Sequence, residues 1–489
     1  MSTDWISQQA VHSPDKIAIY FEDQEISYLS YYYHAVAFQN YIEINYPNIE
    51  KIGILMESCP EYLYLIMAGM RLQSIIVPLN TRLSTSELQN QIEFLDIKLI
   101  FTKNTFNSLI SDLNLNIVNI DTIAQSLKFD GIVSINLDYS QIQFIVFTSG
   151  STGKPKGVQI SFYNNFYSSI ASGLKLGVFS DDNWLLTIPL FHVGGLAIVL
   201  RSIIYGTSIT ILKKFDPLRI EEIVNKYNIS LISLIPTMLK RIYNADGLKV
   251  KPNSLRGILL SGEKLSPDLI SISIQNMIPI YFGYGMTETS SHLVSADIYQ
   301  LKRFGTTVGQ PLSYSKVTII DKDSNLLIPN KIGEIIVSGP TVTSGYYNHQ
   351  ELFDARQTIH GFMTSDLGYI DNNGNLFVIQ RKDDMVVSSG ENIYPSEVED
   401  IILTYPEIIN VAVFGIPDKF WGEKLIAVII AKSKIVESTL IDFTKQKLAG
   451  YKVPKSFIYV DNFPLTQSGK LNRSELKKQV LSKLKIELD

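Results

Sequence analysis

Short apolar runs alternate with amphipathic stretches along most of the chain from Lys51 onward. Apolar runs bounded by polar or turn residues are typical of buried strands, and the longer amphipathic stretches between them are typical of helices. Strands that alternate with helices predict a doubly wound α/β fold. The runs predicted as strands lie at 52–56, 75–79, 98–101, 142–147, 184–188, 208–212, 230–234, 256–260 and 278–282.

Local signals predict where several helices begin. Pro60, two residues after Ser58, suits a first helical position. Residues 84–87 form a capping-box sequence ahead of an amphipathic stretch. The apolar segment 193–212 contains Arg201 near its middle, which disfavours a membrane span. We therefore predict a buried helix followed by a strand there.

The pattern changes in the last third of the chain. Gly-punctuated apolar runs predict a β-rich subdomain at about 308–380, and the charged segment 380–384 follows it. We place a domain boundary at Asp383, so that 1–382 forms a large body and 383–489 a small α+β domain. The small domain is predicted to contain a helix from Ser396, strands at 409–415, 425–431 and 456–460, a helix at 438–448 and a terminal helix.

Composition narrows the class of protein. The chain has 489 residues with net charge −5, so several domains are expected and a nucleic-acid partner is not. Cys59 is the sole cysteine, and the six histidines lack zinc-like spacing. The first ten residues lack the features of a secretory signal, so a cytoplasmic protein without membrane insertion is expected. The sequence does not indicate an oligomeric state.

A loop of small, hydroxyl and basic residues follows the predicted strand at 142–147. Glycine lets backbone N–H groups approach phosphate oxygens, hydroxyls donate hydrogen bonds, and lysine offsets phosphate charge. It is not a Walker A loop, because Pro155 follows Lys154. The alternative is a solvated strand-to-helix turn. The candidate phosphate ligands are Thr148, Ser149, Gly150, Ser151, Thr152, Gly153 and Lys156.

Six segments occur in a fixed order that resembles the adenylate-forming superfamily of acyl-CoA synthetases, luciferases and peptide-synthetase adenylation domains. They are 148–157, Pro189-Leu190-Phe191-His192, Tyr284-Gly285-Met286-Thr287-Glu288, Thr364-Ser365-Asp366-Leu367-Gly368, 381–399 and 464–473. The resemblance implies a large nucleotide-binding body and a small mobile domain. It also implies ATP and Mg²⁺ as cofactors, with CoA as a co-substrate and an acyl-AMP intermediate.

The resemblance assigns the nucleotide-binding roles, and each role suits its residue type. Tyr284 would stack on adenine, and Asp366 and Arg381 would bind the ribose hydroxyls. Glu288, assisted by Ser151, would hold Mg²⁺, and Thr287 would touch the α-phosphate. Taken alone, Tyr284 reads equally as a core residue, and Asp366 or Arg381 as half of a surface salt bridge.

The resemblance divides the reaction between two arrangements of the domains. Lys470 would bridge the carboxylate and the α-phosphate during adenylation, after which a rotation about Asp383 would withdraw it. Ser389, Gly390 and Glu391 would then wall the CoA channel, with His192 at its border. Taken alone, Lys470 is an exposed basic turn and His192 a structural histidine. Four residues differ from the types that are commonest in the superfamily, and they leave the channel width and the hinge geometry open. These residues are Ser151 in the loop, Ser365, Gln380 in the hinge, and Ser389.

The acid is suggested by a smaller set of residues. Arg201 would lie in apolar surroundings, where a guanidinium requires an anion. With Ser290, Ser291 and His292, it resembles the branch of o-succinylbenzoate CoA ligases of menaquinone biosynthesis. One carboxylate would be activated, Arg201 would bind the other, and the serines and His292 would line the aryl side. Alternatively, Arg201 pairs with an internal acid.

Three other functions remain open at this point. The chain can be a different aryl- or acyl-CoA ligase, or a free-standing adenylation module that loads a carrier protein. It can also be a non-catalytic nucleotide-binding relative, against which the presence of both Glu288 and Lys470 argues.

Overall fold

The structure is a computed structural model of the chain. It describes residues 2–111, 113, 115–123, 131–148, 156–245, 247–248, 252–388, 391–418, 422–465 and 471–484. The chain forms two compact units, of which the first comprises Met1–Val317 and Val337–Phe362 and the second Thr318–Ile336 and Met363–Asp489. The predicted boundary at Asp383 concerns movement between two arrangements and stays a prediction.

The first stretch of the chain contains the helix starts that local signals predicted. Pro60 is the first residue of its helix, and Ser84 and Glu87 form the predicted capping box. The strands are β1 (Ser2–Thr3), β2 (Ile17–Phe21), β3 (Gln24–Ser27), β4 (Lys51–Leu55), β5 (Ile75–Pro78), β6 (Leu99–Thr102), β7 (Asn116–Asn119), β8 (Asn136–Leu137) and β9 (Ile142–Thr148). The helices are α1 (Trp5–His12), α2 (Tyr28–Asn45), α3 (Pro60–Leu72) and α4 (Thr85–Leu95).

The second stretch confirms the helix and strand predicted at 193–212. The strands are β10 (Lys156–Ser161), β11 (Asn183–Leu186), β12 (Ser208–Ile211), β13 (Leu231–Leu234), β14 (Gly257–Ser261), β15 (Ile280–Met286), β16 (Ser291–Asp297) and β17 (Gln310–Pro311). The helices are α5 (Phe162–Leu176), α6 (Val193–Tyr205), α7 (Ile220–Lys226), α8 (Pro236–Asn244), α9 (Pro267–Gln275) and α10 (Ile298–Phe304).

The last stretch is rich in strands and then mixed, as predicted. The strands are β18 (Lys316–Ile320), β19 (Gly333–Ser338), β20 (Gly345–Tyr346), β21 (Gln357–Thr358), β22 (Gly361–Ile370), β23 (Leu376–Arg381), β24 (Val386–Ser388), β25 (Glu391–Ile393), β26 (Ile408–Asp418), β27 (Gly422–Ala431) and β28 (Ser456–Tyr459). The helices are α11 (Gln350–Asp354), α12 (Pro395–Leu403), α13 (Glu437–Lys445) and α14 (Arg473–Leu484).

Two sheets organise the first unit. One has the strand order β20-β10-β9-β5-β4-β6-β7, and the other has the order β17-β16-β15-β14-β13-β11-β12-β2-β3. The inner strands pair in parallel, which confirms the doubly wound prediction. The direction reverses where β9 pairs with β10 and where β15 pairs with β16. The predicted phosphate loop therefore joins two antiparallel strands, and the alternative of a strand-to-helix turn is wrong.

In the second unit a mixed sheet has the order β25-β24-β27-β26, with β28 parallel to β27. Side chains alternate across its strands, so each face builds its own apolar core. Val413 and Ile429 pack on one face with Val398 of α12, whereas Ala412 and Val428 pack on the other with α14. Among the helices that the structure describes, none is both long and apolar enough to cross a membrane.

Candidate nucleotide and acyl-acid site

The phosphate loop is framed by the ends of β9 and β10. Thr148 and Lys156 are directly paired residues of these antiparallel strands. Gly157 follows, and a Cβ there would lie 2.8 Å from the Ile145 side chain, so the close approach of the strands requires glycine. The other predicted phosphate ligands, Ser149, Gly150, Ser151, Thr152 and Gly153, lie outside the described residues.

The adenine and metal segment lies at the end of β15. The register shifts at Gly285, where a Cβ would lie 2.1 Å from the Ser291 carbonyl oxygen. The chain then makes a 3₁₀ turn over Thr287–Thr289 and reverses through Ser290 and Ser291, whose φ angles are 53° and 97°. Tyr284 is partly buried near the end of β15. The 3₁₀ turn places Thr287 and Glu288 directly after the carboxyl end of this strand.

Glu288 is held in place by two hydrogen bonds. Its side chain is almost buried, and the Tyr346 hydroxyl donates to its Oε1 over 2.8 Å. The Thr343 amide donates to the Glu288 carbonyl oxygen over 2.8 Å. A carboxylate has two oxygens, so the bond to Oε1 is compatible with a metal contact through Oε2.

The residues around Glu288 fit Mg²⁺ bound together with ATP. Within the described ranges, no three or more His, Cys, Asp or Glu side chains are grouped so as to hold a metal. Mg²⁺ in nucleotide sites is commonly bound by one or two carboxylates plus the substrate's phosphates. Glu288 supplies one such carboxylate; its predicted helper, Ser151, is outside the described residues.

The predicted ribose ligands are neighbours in the second unit. Asp366 and Arg381 are paired residues of β22 and β23, and Arg381 Nη1 lies 3.3 Å from Asp366 Oδ1. The Asp366 side chain is 11% exposed and that of Arg381 is 41% exposed. Ser365 has φ 62°, the left-handed region that favours glycine and the position where the superfamily commonly has one. The two residues therefore form an ion pair whose carboxylate is mostly buried, and their role at the ribose stays a prediction.

The predicted hinge and CoA channel are described in part. Asp383 is exposed in a 3₁₀ turn, Lys382–Asp384. Glu391 begins β25, and its backbone pairs with Ser388. Ser389 and Gly390 lie outside the described residues.

The segment that carries Lys470 is anchored at both ends. Lys470 itself lies outside the described residues. Leu465 and Leu471 form an antiparallel bridge, and the Asn472 amide donates to the Pro464 carbonyl over 2.8 Å. These bonds fix the two ends of the loop to each other.

His192 is the residue that precedes α6. Its amide donates to the Pro189 carbonyl over 3.0 Å, and its ring centroid lies 4.6 Å from that of Phe191. A Cβ on Gly195 would lie 2.4 Å from the Pro189 carbonyl oxygen, so this turn requires glycine. The sequence thus places His192 at a tight entry to the helix that bears Arg201.

Arg201 is buried beside His292. Arg201 is 1% exposed, its Nη2 lies 3.2 Å from His292 Nδ1 and 3.4 Å from Ser291 Oγ, and its guanidinium lies 5.5 Å from the Trp184 ring. A guanidinium can only donate, so His292 Nδ1 accepts and the imidazole proton is on Nε2. Burial, and then the charge of Arg201, lower the pKa of His292 well below its usual 6.5. His292 is therefore neutral.

Two buried donors at this site have no acceptor among the residues that the structure describes. Arg201 Nε and His292 Nε2 form no hydrogen bond within the part of the chain that the structure describes. Over the same part, Arg201 forms no ion pair with a carboxylate. The described residues therefore do not support an internal acid as its partner. An anion with several oxygens would satisfy both donors.

Ser290 forms hydrogen bonds with two other segments of the chain. Its hydroxyl donates to the Thr341 carbonyl over 3.0 Å, and Ser168 donates to the Ser290 carbonyl over 2.7 Å. Ser291 instead lies beside Arg201. Of the predicted acid-binding residues, the structure brings together Arg201, Ser291 and His292, and it gives Ser290 a structural contact.

Sequence reasoning missed Tyr346 and Trp184. Tyr346 contacts Glu288 from 58 residues away, and Trp184 lies under Arg201 from a neighbouring strand. Neither has a local signal, because an aromatic residue is most often part of the core. The glycine directly before Tyr346, Gly345, was the one available hint.

Two family models together match most of the chain. The model of AMP-binding enzymes matches residues 6–347, and that of the AMP-binding enzyme C-terminal domain matches 397–470. The 2-succinylbenzoate–CoA ligase of Bacillus cytotoxicus is 34% identical over 479 residues, which cover 97% of this chain and 98% of the relative. That of Bacillus mycoides is 33% identical over 480 residues, which cover 98% of each chain.

Two solved structures of one synthetase are similar to this chain over nearly its whole length. The o-succinylbenzoate CoA synthetase of Bacillus subtilis with the acyl-adenylate intermediate matches with TM-score 0.89 and 31% identity, over 97% of this chain and 98% of that one. The same synthetase with ATP and magnesium ion matches with TM-score 0.90 and 31% identity, over 97% and 99%. The chain belongs to the AMP-binding enzyme family.

Proposed function

We propose that the chain is an ATP-dependent 2-succinylbenzoate–CoA ligase of menaquinone biosynthesis. It converts 2-succinylbenzoate, ATP and CoA to 2-succinylbenzoyl-CoA, AMP and pyrophosphate. The full-length similarity to ligases of that name supports the reaction. The observation that carries the choice of acid is the buried Arg201, which lies beside a neutral histidine rather than a carboxylate.

Adenylation is the first half-reaction. An oxygen of the acid attacks the α-phosphorus of ATP, the bond to the β-phosphate oxygen breaks, and pyrophosphate leaves. Thr148 and Lys156 bind phosphate oxygens with the loop between them, and Asp366 and Arg381 hold the ribose. Glu288 and Ser151 would hold Mg²⁺, which when bound would offset the charge that builds on the leaving group. Lys470 would bridge the carboxylate and the α-phosphate, and Tyr284 would stack on adenine.

Thioester formation is the second half-reaction. The CoA thiolate attacks the acyl-AMP carbonyl carbon, and AMP leaves with the bonding electrons. A rotation about Asp383 replaces Lys470 by the channel residues Ser389, Gly390 and Glu391, with His192 at the channel's border. The exposed turn at Asp383 supports a hinge there, because no buried contact has to break at that residue.

Recognition of the acid uses the two unsatisfied donors. The carboxylate that is not activated accepts from Arg201 and from His292 Nε2, and Ser291 lies at the same place. The oxygens of this second carboxylate accept from both donors, Arg201 Nε and His292 Nε2, so a dicarboxylate is favoured over a monocarboxylate. The small number of cysteines, one in 489 residues, supports a location in the reducing cytoplasm.

A screen of pyrophosphate release tests the substrate. The purified protein is given ATP, Mg²⁺, CoA and, in turn, 2-succinylbenzoate, benzoate, a medium-chain fatty acid and a monocarboxylic analogue of 2-succinylbenzoate. We expect 2-succinylbenzoate to give by far the highest kcat/KM. A flat response contradicts the assignment, and accumulation of acyl-AMP without thioester in the presence of CoA indicates a carrier-loading adenylation module instead.

The division between half-reactions has its own test. The Lys470→Ala variant should form acyl-AMP far more slowly yet still convert supplied acyl-AMP to the thioester. A variant with a bulky residue at Gly390 should show the opposite pattern. Rapid-quench assays of each half-reaction measure both. Equal loss in both half-reactions for either variant contradicts alternation.

A further inference from the structure

Tyr346 connects the candidate metal carboxylate to the strand that leaves the phosphate loop. Its side chain is 1% exposed, and its hydroxyl donates to Glu288 Oε1 over 2.8 Å. Its backbone in β20 pairs with Val158 of β10, the strand that Lys156 begins. Lys156 Nζ lies 5.5 Å from the Tyr346 ring centroid. One side chain therefore contacts both a predicted phosphate ligand and the predicted metal ligand.

The segment that carries Tyr346 also holds the Glu288 backbone. The Thr343 amide donates to the Glu288 carbonyl oxygen, and the Thr343 hydroxyl donates to the Gln159 carbonyl of β10. Glu288 is thus fixed at both its backbone and one carboxylate oxygen by residues 343–346. Removing one bond of such a pair should loosen the carboxylate without unfolding the turn.

We propose that Tyr346 is a positioning residue that orients the Glu288 carboxylate for the magnesium of MgATP. This rests on the proposed function, in which Glu288 is the metal ligand. Hydrogen bonds to a ligating carboxylate fix its orientation, and losing one typically lowers metal affinity about 10- to 100-fold. The phenol is the donor, because a carboxylate oxygen can only accept.

The neighbouring tyrosine supplies a matched control. Tyr347 follows Tyr346 directly, and its ring lies 5.1 Å from Lys51 Nζ and packs against Phe94. Tyr346→Phe and Tyr347→Phe delete the same hydroxyl and keep the same ring. Tyr346→Phe also keeps the edge-on packing against Phe353, whose ring centroid is 6.1 Å away. A difference between these variants therefore reports the hydroxyl at Glu288.

Calorimetric titration without the acid or CoA tests the proposal apart from catalysis. Wild type, Tyr346→Phe and Tyr347→Phe are titrated with ATP in Mg²⁺, with ATP in EDTA, and with AMP. We expect Tyr346→Phe to weaken binding of MgATP about 10-fold, with AMP and metal-free ATP bound as by wild type. Tyr347→Phe should match wild type in all three titrations.

Three outcomes would overturn the proposal. Equal weakening of AMP and MgATP by Tyr346→Phe indicates a purely structural role, and unchanged MgATP binding shows that the hydroxyl does not act on the metal. In a Glu288→Gln background, Tyr346→Phe should have no further effect on MgATP binding, so an undiminished effect contradicts coupling through Glu288. If wild type itself binds ATP equally with and without Mg²⁺, the metal role of Glu288 in the proposed function fails first.

Discussion

Buried arginines in different regions of the first unit have opposite surroundings. Arg71 Nη1 lies 2.9 Å from Asp4 Oδ2, and Arg256 Nη2 lies 2.6 Å from Asp182 Oδ2, so each charge is neutralised by an internal carboxylate. Arg201 is more deeply buried than either, at 1% exposed, yet it faces a neutral histidine and a serine. Folding alone explains the first two arginines, whereas the third lacks a counter-charge in the described protein.

The additional contacts reinforce this difference. Arg71 also donates to Gln39 Oε1 and the Val133 carbonyl, and Arg256 to the Leu176 and Gly177 carbonyls. Those guanidinium groups tie distant segments together. A buried charge is costly unless it is paired, so a site that keeps Arg201 without an internal acid is suited to an anion that arrives with the substrate.

The largest expected effect comes from breaking a paired arginine. Asp4→Ala removes a carboxylate that is fully buried and leaves the Arg71 charge unpaired. We expect the free energy of unfolding to fall by about 3–5 kcal/mol. Urea denaturation followed by circular dichroism measures it, with Asp23→Ala as the control, because the Asp23 side chain is 98% exposed. A loss below about 1 kcal/mol would contradict the structural role of this pair.

The second prediction concerns the arginine without an internal acid. Arg201→Met should raise KM for 2-succinylbenzoate about 10- to 100-fold, the effect of losing a charged hydrogen bond of about 1.5–3 kcal/mol. Stability should stay the same or rise, because no internal carboxylate loses its partner. Steady-state kinetics with the dicarboxylate and with a monocarboxylic analogue measure the effect.

The analogue decides between the two roles of Arg201. Its KM should hardly change in Arg201→Met, since it lacks the second carboxylate. If both acids suffer alike, or if the variant is destabilised as strongly as Asp4→Ala, Arg201 belongs with the structural arginines.

The third prediction concerns the neutral histidine that distinguishes the Arg201 site. The pKa of His292 is well below 6.5 in the folded chain, so below pH 6.5 the unfolded chain binds a proton that the folded chain excludes. Stability contributed at this residue is therefore fully present above pH 6.5 and is lost as the pH falls. Between pH 7.5 and 5.5 we expect a loss of about 1.4 kcal/mol from this residue.

Paired urea denaturations of wild type and His292→Asn at the two pH values isolate this contribution. The variant should lose less stability on acidification than wild type, since all other titrating groups are shared. An identical pH dependence in both proteins would mean that the pKa of His292 is the same in the folded and the unfolded chain.

The smallest stability effect is expected at a half-exposed arginine in the second unit. Arg381→Gln removes the ion pair to Asp366, and because the Arg381 side chain is 41% exposed we expect a loss of only about 0.5–1 kcal/mol. KM for ATP should nevertheless rise several-fold, since the proposed function assigns both side chains to the ribose. A large loss of stability with unchanged KM for ATP would make this pair structural, like that of Arg71.

Local signals located many elements correctly. The capping box at Ser84, the proline that opens α3 and the helix and strand at 193–212 all depend on neighbours within a few residues. Most strands and helices of the small α+β domain were predicted for the same reason, but its short strands β24 and β25 were not. The antiparallel strands β10 and β16 were not predicted. Each is recognised as a strand only through its pairing with the strand before it, and the residues near the turn between them give no such signal.

The candidate site divides in the same way. The amino-acid sequence by itself predicted the chemistry, because the loop at 148–157, the pair Thr287-Glu288 and the segment Thr364-Ser365-Asp366 are short runs whose residue types suit the binding of a nucleotide. Only the tertiary structure decided the partners. It placed Tyr346 on Glu288 across 58 residues and His292 on Arg201 across 91. A side chain's counter-charge depends on which strands and helices pack together, and no local pattern specifies that packing.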